Sequence, residues 1–253
     1  MLPSLLAVLA HPDDEALVCG GVLAQHAEAG ARTTVVTVTW AADSPRAGEL
    51  ANSLTALGLS EPPIMLGYAD HRVPESAPDR PRWCDVPLDE AVGQLVAHIR
   101  QMRPDIVITH DAYGQLTGHP DHRYTHQMTL LAMTAAGLGQ MYPDSGVPWQ
   151  PAALYLATHP DSGTGELGDL LRQVGKTALS VPDEHVSTAV DVRPWLARKW
   201  AAILAHRSQV ERERPLPAIL SRMPEEVRHS VIGTEYYTRI RLADSPGMTQ
   251  LAT

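Results

Sequence analysis

Short apolar runs alternate with longer stretches of helical periodicity along the first half of the chain. The apolar runs that we interpret as strands are Leu5 to Ala10, Thr33 to Trp40, Ile64 to Leu66 and Asp105 to His110. The stretches with apolar residues at helical spacing are Ala16 to Ala29, Arg46 to Leu57, Leu88 to Met102 and about Pro120 to Ala136. This alternation predicts successive β-α-β units.

The strand-like runs are apolar at nearly every position, as in Val35-Val36-Thr37-Val38. Continuous apolar runs of this kind are typical of parallel strands that helices cover on both faces. We therefore predict an α/β, Rossmann-like fold with a mostly parallel sheet and helices on both of its faces.

The pattern weakens after the apolar run Ala153 to Thr158. A glycine-containing stretch near Ser162 to Gly168 precedes a helix-like segment, a predicted strand at Thr177 to Val181 and a last predicted helix at Pro194 to Gln209. We expect this second part, from about residue 160, to complete the fold and the pocket of one domain that comprises residues 1–253.

The segment 67–87 is rich in Pro, Asp and Arg and has no clear periodicity. It is long for a plain connection between two elements, and loops of this length often carry function. We therefore expect it to border the site.

Charge and composition exclude several classes of partner. The formal net charge is −9 and no stripe of Lys and Arg is visible, so we expect no nucleic-acid partner. The N-terminal apolar run lacks the basic region of a signal peptide, and no apolar stretch is long enough to span a membrane. Two cysteines, Cys19 and Cys84, are too few for a disulfide framework. We expect a cytoplasmic protein that acts on a small molecule, with its oligomeric state, including a homo-oligomer, left open.

Two polar runs each follow a predicted strand. His11-Pro12-Asp13-Asp14-Glu15 comes directly after Leu5 to Ala10, and Gly118-His119-Pro120-Asp121-His122 comes a short loop after Asp105 to His110. Open α/β sheets bind ligands beyond the carboxyl ends of their strands, at the point where the strand order reverses. If the two strands are neighbours, both runs meet in one crevice.

The residue types of these runs fit a catalytic metal centre. Two histidines and one aspartate leave a coordination position open for water, and this nitrogen and oxygen donor set favours zinc while also suiting ferrous iron, cobalt or nickel. Asp13 and Asp14 are adjacent and cannot point the same way on a turn, so one can bind metal while the other acts as general base. Spacing leaves the second motif open, because His119, His122 and His126 offer two pairs that each share a helix face.

The two runs together resemble the LmbE-like, or PIG-L, family of zinc-dependent N-deacetylases. Further similarity extends along the chain from about Leu5 to Gln209. It is carried by Arg46-Ala47-Gly48-Glu49-Leu50, Gly58, Gly67-Tyr68, Asp70, Lys199 and His206-Arg207-Ser208-Gln209.

The resemblance implies which residues carry the reaction. His11, Asp14 and His122 would bind zinc, with ferrous iron as an alternative metal. Asp13 would be the general base, and His119 would protonate the leaving amine or stabilise the oxyanion.

The resemblance also implies a metal-dependent amide hydrolase that removes an N-acetyl or other N-acyl group from an N-acetylglucosamine-type amino sugar or glycoside. Arg46 and Asp70 would contact the sugar. The alternatives are an amidase that acts on mycothiol conjugates and a non-catalytic sugar-binding relative. One position departs from the mycothiol-pathway members, which carry Tyr before the Gly-His of the second motif. This chain has Thr117 there, which leaves the oxyanion partner open.

Several candidate residues also have purely structural interpretations. Asp13 is suited to cap the helix that follows it, and Asp121 would favour the dipole of its helix from the first turn. Glu15 could orient a ligating imidazole from outside the metal's ligand set. His206 could interact with the end of its helix instead of the site, and Arg46 could be a solvated charge.

Overall fold

The computed structural model describes residues 2–242. The strands within them are β1 (Leu5–Leu9), β2 (Thr33–Thr39), β3 (Ile64–Tyr68), β4 (Ile106–His110), β5 (Ala153–Thr158), β6 (Thr188–Asp191) and β7 (Thr234–Arg241). They form one sheet in the order β3-β2-β1-β4-β5-β7-β6. Strands β1 to β5 are parallel, and β7 runs antiparallel to both β5 and β6. The predicted α/β class with a mostly parallel sheet is confirmed.

Helices cover both faces of this sheet. They are α1 (Asp14–Val18), α2 (Gly20–Glu28), α3 (Pro45–Leu57), α4 (Leu88–Met102), α5 (Pro120–Ala135), α6 (Gly165–Gln173), α7 (Leu196–Ala205), α8 (Arg207–Val210), α9 (Leu216–Arg222) and α10 (Glu225–Ile232). Side chains of β1 alternate between the two faces, so Leu5, Ala7 and Leu9 pack in a core with α2, α3 and α7, while Leu6 and Val8 pack in a second core with α4 and α5.

The strand order places β1 between β2 and β4. Connections from β1 and β4 therefore leave the carboxyl edge of the sheet side by side, on either side of the point where the order reverses. The strands that precede the two polar runs are therefore neighbours, as a crevice shared by both runs requires.

The prediction of a strand at Thr177 to Val181 is wrong. Within this stretch only Val181 forms a β-type pairing, an isolated bridge to Pro160. The antiparallel edge is instead built by β6 and β7, which the sequence pattern did not reveal. Both strands carry polar residues at many positions and alternate in burial, so neither has the continuous apolar run of a central strand.

Two predicted helices are interrupted. The stretch Ala16 to Ala29 divides at Cys19, whose φ of −145° separates α1 from α2. Gly21 lets α2 lie against Val192, because a Cβ on this residue would fall 2.2 Å from the Cβ of Val192. The stretch Pro194 to Gln209 divides at His206 into α7 and α8, and it is not the last helix, because α9 and α10 follow.

The C-terminal part of the chain contributes to the same sheet as the N-terminal part, through β6 and β7. Residue 1 and residues 243–253, which the predicted domain includes, lie outside the described residues. Within residues 2–242, no helix combines the length and the apolar character that crossing a bilayer requires.

Candidate metal and active site

Three buried donor groups meet beyond the carboxyl ends of β1 and β4. His11 follows β1, Asp14 begins α1, and His122 lies in the first turn of α5. His11 Nδ1 is 3.0 Å from His122 Nε2 and 3.5 Å from Asp14 Oδ2, and His122 Nε2 is 3.4 Å from Asp14 Oδ1. Ligands around a tetrahedral zinc ion with bonds of about 2.0–2.1 Å are about 3.3 Å apart. The spacing of these three groups therefore fits a metal ion.

The other imidazole nitrogen of His11 faces two carboxylates. Nε2 is 3.1 Å from Asp121 Oδ2 and 3.3 Å from Asp70 Oδ2. Burial by itself lowers the pKa of His11, but hydrogen bonds with Asp121 and Asp14 and the charges of Asp14 and Asp70 outweigh it and raise the pKa well above its ordinary value. The surrounding carboxylates thus favour a positive charge at this point of the molecule.

Further donor atoms surround these three groups. Buried His and Asp side chains form overlapping clusters whose donor atoms lie within 4.8 Å of one another: His11, His119 and His122; His11, Asp70, His119 and Asp121; and Asp14, His110 and His122. In both His110 and His119, one ring nitrogen accepts a hydrogen bond from a backbone N–H group.

His110, at the end of β4, was missed by the sequence reasoning. The Ala10 backbone N–H donates to its Nε2 over 3.0 Å, so its Nδ1 carries the proton and donates to Gln115 Oε1. Its ring stacks on His122 with 4.0 Å between centroids. The position at the carboxyl end of a central strand, which pointed to His11, was the signal that could have found it.

His119 is the N-cap residue of α5. Its Nδ1 accepts a hydrogen bond from the Asp121 backbone N–H over 3.3 Å, which leaves the proton on Nε2. Burial and the charges of His11 and Arg72 lower the pKa of His119 to about 3, so the ring is neutral. Its centroid lies 4.5 Å from that of His11, so it borders the three donor groups.

Asp13 has an unusual backbone conformation beside the same groups. Its φ is 136° and its ψ −22°, a region that residues other than glycine rarely adopt. It occupies the N-cap position of α1, but its side chain makes no capping hydrogen bond. Burial raises the pKa of this carboxyl to about 6, against the opposing charge of Arg46, whose guanidinium lies 3.1 Å from Oδ2.

The Glu15 carboxylate fixes the turn that contains Asp13. Its Oε2 accepts the backbone N–H of Asp13 over 3.0 Å. Its Oε1 accepts hydrogen bonds from Ser53 Oγ over 2.5 Å and from His206 Nε2 over 2.7 Å. Burial lowers the pKa of His206, but the adjacent Glu15 charge outweighs it and raises the pKa above the ordinary value.

The predicted sugar contacts reach the centre from two elements, Arg46 from the first turn of α3 and Asp70 from the loop after β3. The buried Arg46 guanidinium lies over the Trp40 ring at 4.5 Å and binds the Pro12 carbonyl as well as Asp13. Asp70 Oδ1 accepts the backbone N–H groups of the residues two and three positions further on, which tightens the start of the segment 67–87. The structure thus brings all the predicted site residues into one connected cluster.

The comparison with family models decides the family. Residues 6–133 match the model described as PIG-L: GlcNAc-PI de-N-acetylase. The chain belongs to the PIG-L family. The matched stretch contains both polar runs as well as Arg46 and Asp70, so it includes every residue of the predicted site.

Named relatives extend this PIG-L similarity over most of the chain. The 1D-myo-inositol 2-acetamido-2-deoxy-alpha-D-glucopyranoside deacetylase of Rhodococcus jostii is 38% identical, and the similarity covers 81% of each protein. The enzyme of the same name from Geodermatophilus obscurus is 32% identical, and the similarity covers 95% of this chain and 94% of that protein.

Solved structures share the fold of this PIG-L chain. The N,N'-diacetylchitobiose deacetylase of Pyrococcus horikoshii superposes with a TM-score of 0.65 at 19% sequence identity, over 94% of this chain and 84% of that one.

Some residues that support the site lie beyond the PIG-L match. His206 comes from the junction of α7 and α8 and reaches the centre only through Glu15. Within the match, Thr117, which directly precedes Gly118, is half-buried, and the nearby Tyr113 has half of its surface exposed.

Proposed function

We propose that this protein is a metal-dependent N-deacetylase that releases acetate from an N-acetylglucosamine-type amino sugar or glycoside. The observation that carries the proposal is the buried triangle of His11 Nδ1, Asp14 and His122 Nε2, with sides of 3.0–3.5 Å, beside a partly exposed Asp13.

Lone pairs support His11, Asp14 and His122 as the metal ligands. His11 Nε2 faces carboxylates and keeps its proton, so Nδ1 is the nitrogen that would lose its proton to a metal and offer a lone pair on the side of Asp14 and His122. In His110 and His119, backbone N–H groups already occupy the lone-pair nitrogens. Two imidazoles and a carboxylate with an open position suit zinc, and ferrous iron is the alternative.

When bound, the metal supplies a Lewis acid that polarises the amide carbonyl and makes water more acidic. Asp13 takes the proton from the attacking water, and its raised pKa makes it a stronger base than an ordinary aspartate. His119 is neutral and keeps its proton on Nε2, so its part is to donate a hydrogen bond to the oxyanion. The proton that Asp13 took from the water passes to the departing amine, and acetate is the second product.

The small-molecule substrate class follows from the family and its named relatives, which are called deacetylases of an acetamido glucopyranoside joined to inositol. Arg46 and Asp70 border the metal triangle from two sides, where a sugar ring attached to the reacting amide would lie. Their role is to contact this sugar. Arg46 in addition holds the turn that contains Asp13, and Asp70 holds the start of the segment 67–87.

Acetate release from purified protein tests the proposal. Protein stripped with a chelator and then reloaded with one equivalent of zinc or ferrous iron is offered N-acetylglucosaminyl-inositol, N-acetylglucosamine and diacetylchitobiose. We expect acetate and free amine from at least the first, and none from stripped protein. Release of a cysteinyl or long-chain acyl group, with no acetate, would instead identify the amidase alternative. Metal and sugar binding without any hydrolysis would identify the non-catalytic one.

A further inference from the structure

The conformation of Asp13 must be maintained by its neighbours. Strained backbone angles of this kind persist only where the surrounding structure determines them. The Asp13 side chain contacts Arg46, and the preceding Pro12 carbonyl accepts from the same guanidinium. The Asp13 backbone N–H has a single partner among the described residues, Glu15 Oε2 at 3.0 Å.

Glu15 can hold that N–H only while its own carboxylate is fixed. It is fully buried, and its Oε1 receives two hydrogen bonds, from Ser53 on α3 and from His206. The two oxygens of the carboxylate therefore differ in what they hold. Oε2 binds the turn of Asp13, and Oε1 is anchored to the layer of helices behind it.

His206 is the more demanding of the two anchors. It is fully buried at the junction between α7 and α8, where its φ of −79° and ψ of 62° end one helix before the next begins. Helix α7 packs along α3, so His206 arrives at Glu15 beside Ser53. The break between α7 and α8 places a buried imidazole against a buried carboxylate. Burial of such a pair costs free energy, and the packing of apolar side chains does not require it.

We propose that His206 is a positioning residue: by fixing Glu15, it keeps the Asp13 backbone in the conformation that presents the Asp13 carboxylate to the reacting water. His206 itself does not contact the metal triangle. The inference rests on the proposed function of Asp13 as base, and it extends the working site to a residue about 190 positions away in the sequence.

A second buried ion pair on the same helix provides a matched control. Lys199 on α7 lies 2.7 Å from Glu235, and both side chains are 2% exposed. Glu235 binds the backbone N–H groups of Gly21 and Val22, at the start of α2, and not the turn of Asp13. Loss of this pair removes a comparable buried contact without releasing Asp13.

Four variants separate positioning from general stability: His206→Leu, His206→Gln, Glu15→Gln and Lys199→Met. His206→Leu deletes the donor to Glu15, and Glu15→Gln cannot accept from both Asp13 and His206. Gln at position 206 can restore a donor where Nε2 stood. Each is loaded with zinc, and kcat, KM, bound metal and Tm are measured.

We expect His206→Leu and Glu15→Gln to lose about 10- to 100-fold in kcat, because a small displacement of a catalytic group has effects of that size. Their KM and bound metal should stay close to the wild-type values, and His206→Gln should recover most of the kcat. Lys199→Met should lower Tm at least as much while its kcat stays within about twofold of wild type. Equal losses of kcat in His206→Leu and Lys199→Met would overturn the proposal.

A crystal structure of His206→Leu tests the proposal independently of any activity. We expect the φ of Asp13 to leave its positive value in this variant and to keep it in Lys199→Met. An unchanged Asp13 in His206→Leu would overturn the inference even if the enzyme is an active deacetylase. If the wild type releases no acetate, the proposed function fails, and the two structures still decide whether His206 holds Asp13.

Discussion

The parallel part of the sheet and the chain that follows β5 contribute to the site in different ways. The candidate metal donor groups follow β1 and β4 beyond their carboxyl ends, with His11 directly after β1 and His122 in the first turn of α5. The chain after β5 supplies no donor to the three clusters that could hold a metal among residues 2–242. It contributes instead the buried contacts of His206 and Lys199.

The parallel part of the sheet thus positions the candidate reacting groups, and the chain after β5 supports them. Ligands bind where parallel strands end, because the loops there converge at the reversal of strand order. Residues of α7 and its C-terminal end reach that point through intermediates, His206 through Glu15 and Lys199 through Glu235 and the start of α2. Substitutions in the first region should therefore remove activity, and those in the second should reduce it or affect stability alone.

The largest effect is expected from removal of a metal ligand. His122→Ala should lose stoichiometric zinc and at least about 10³-fold of the deacetylase activity, because the remaining two donor groups hold the ion poorly. Metal analysis after gel filtration and acetate release measure the two losses. His229→Ala, on α10 with its side chain 43% exposed, is the control and should keep both. Full zinc content in His122→Ala would remove this residue from the ligand set.

Asp13→Asn should lower kcat by about 10²- to 10⁴-fold, the usual contribution of a general base. Asparagine tolerates positive φ better than most residues, so the turn should persist and zinc should still bind. Acetate release at saturating substrate measures the loss, with the exposed Asp144→Asn as control. Wild-type activity in Asp13→Asn would show that another group takes the proton.

Asp121→Asn tests the partner that holds the His11 ring. Because this carboxylate accepts from Nε2 over 3.1 Å, its loss should reduce zinc affinity or activity by about 10- to 100-fold, less than the loss of a ligand. Competition with a zinc chelator measures the affinity. A variant that binds zinc as tightly as wild type and works equally well would mean that Asp70 alone orients His11.

In the chain after β5, Lys199→Met should lower stability and leave the chemistry intact. It leaves the buried Glu235 carboxylate without its cation, which costs about 3–5 kcal/mol for a buried pair broken on one side. Denaturant unfolding measures this change in free energy. A variant of wild-type stability would show that hydrogen bonds from the Gly21 and Val22 backbone N–H groups and from the Tyr237 hydroxyl suffice to hold Glu235.

The smallest effect concerns pH. The pKa of His206 is raised in the folded protein above its ordinary value of 6.5, so the stabilisation by its pairing with Glu15 is complete below pH 6.5 and declines as the pH rises through the raised pKa. The free energy of unfolding, measured from pH 6 upward, should fall less steeply in His206→Gln than in wild type. Identical slopes in the two proteins would contradict a charged His206.

The sequence predicted the parallel part well because its strands are buried on both faces and its polar runs interrupt them abruptly. The continuous apolar run before His11 located both a strand and its functional end. The edge strands β6 and β7 alternate in burial and carry many polar residues, so their pairing depends on tertiary contacts that no local pattern records.

The site shows the same division. The runs that contain His11, Asp14 and His122 could be found from the sequence because of their specific residue order, whereas the choice of His122 over His119 and His126 rested on the family resemblance. The contacts of Glu15 with His206 could not, since they join positions far apart in sequence and depend on a break between α7 and α8. The strained φ of Asp13 was likewise hidden, because an aspartate before a helix is usually a simple cap.

Anomalous diffraction at the zinc edge from zinc-loaded crystals tests the proposed metal centre most directly. We predict one strong peak about 2.0–2.2 Å from His11 Nδ1, an Asp14 carboxylate oxygen and His122 Nε2, with Asp13 facing the open position. A peak bound instead through His110 or His119, or no peak within the triangle, would contradict this ligand set.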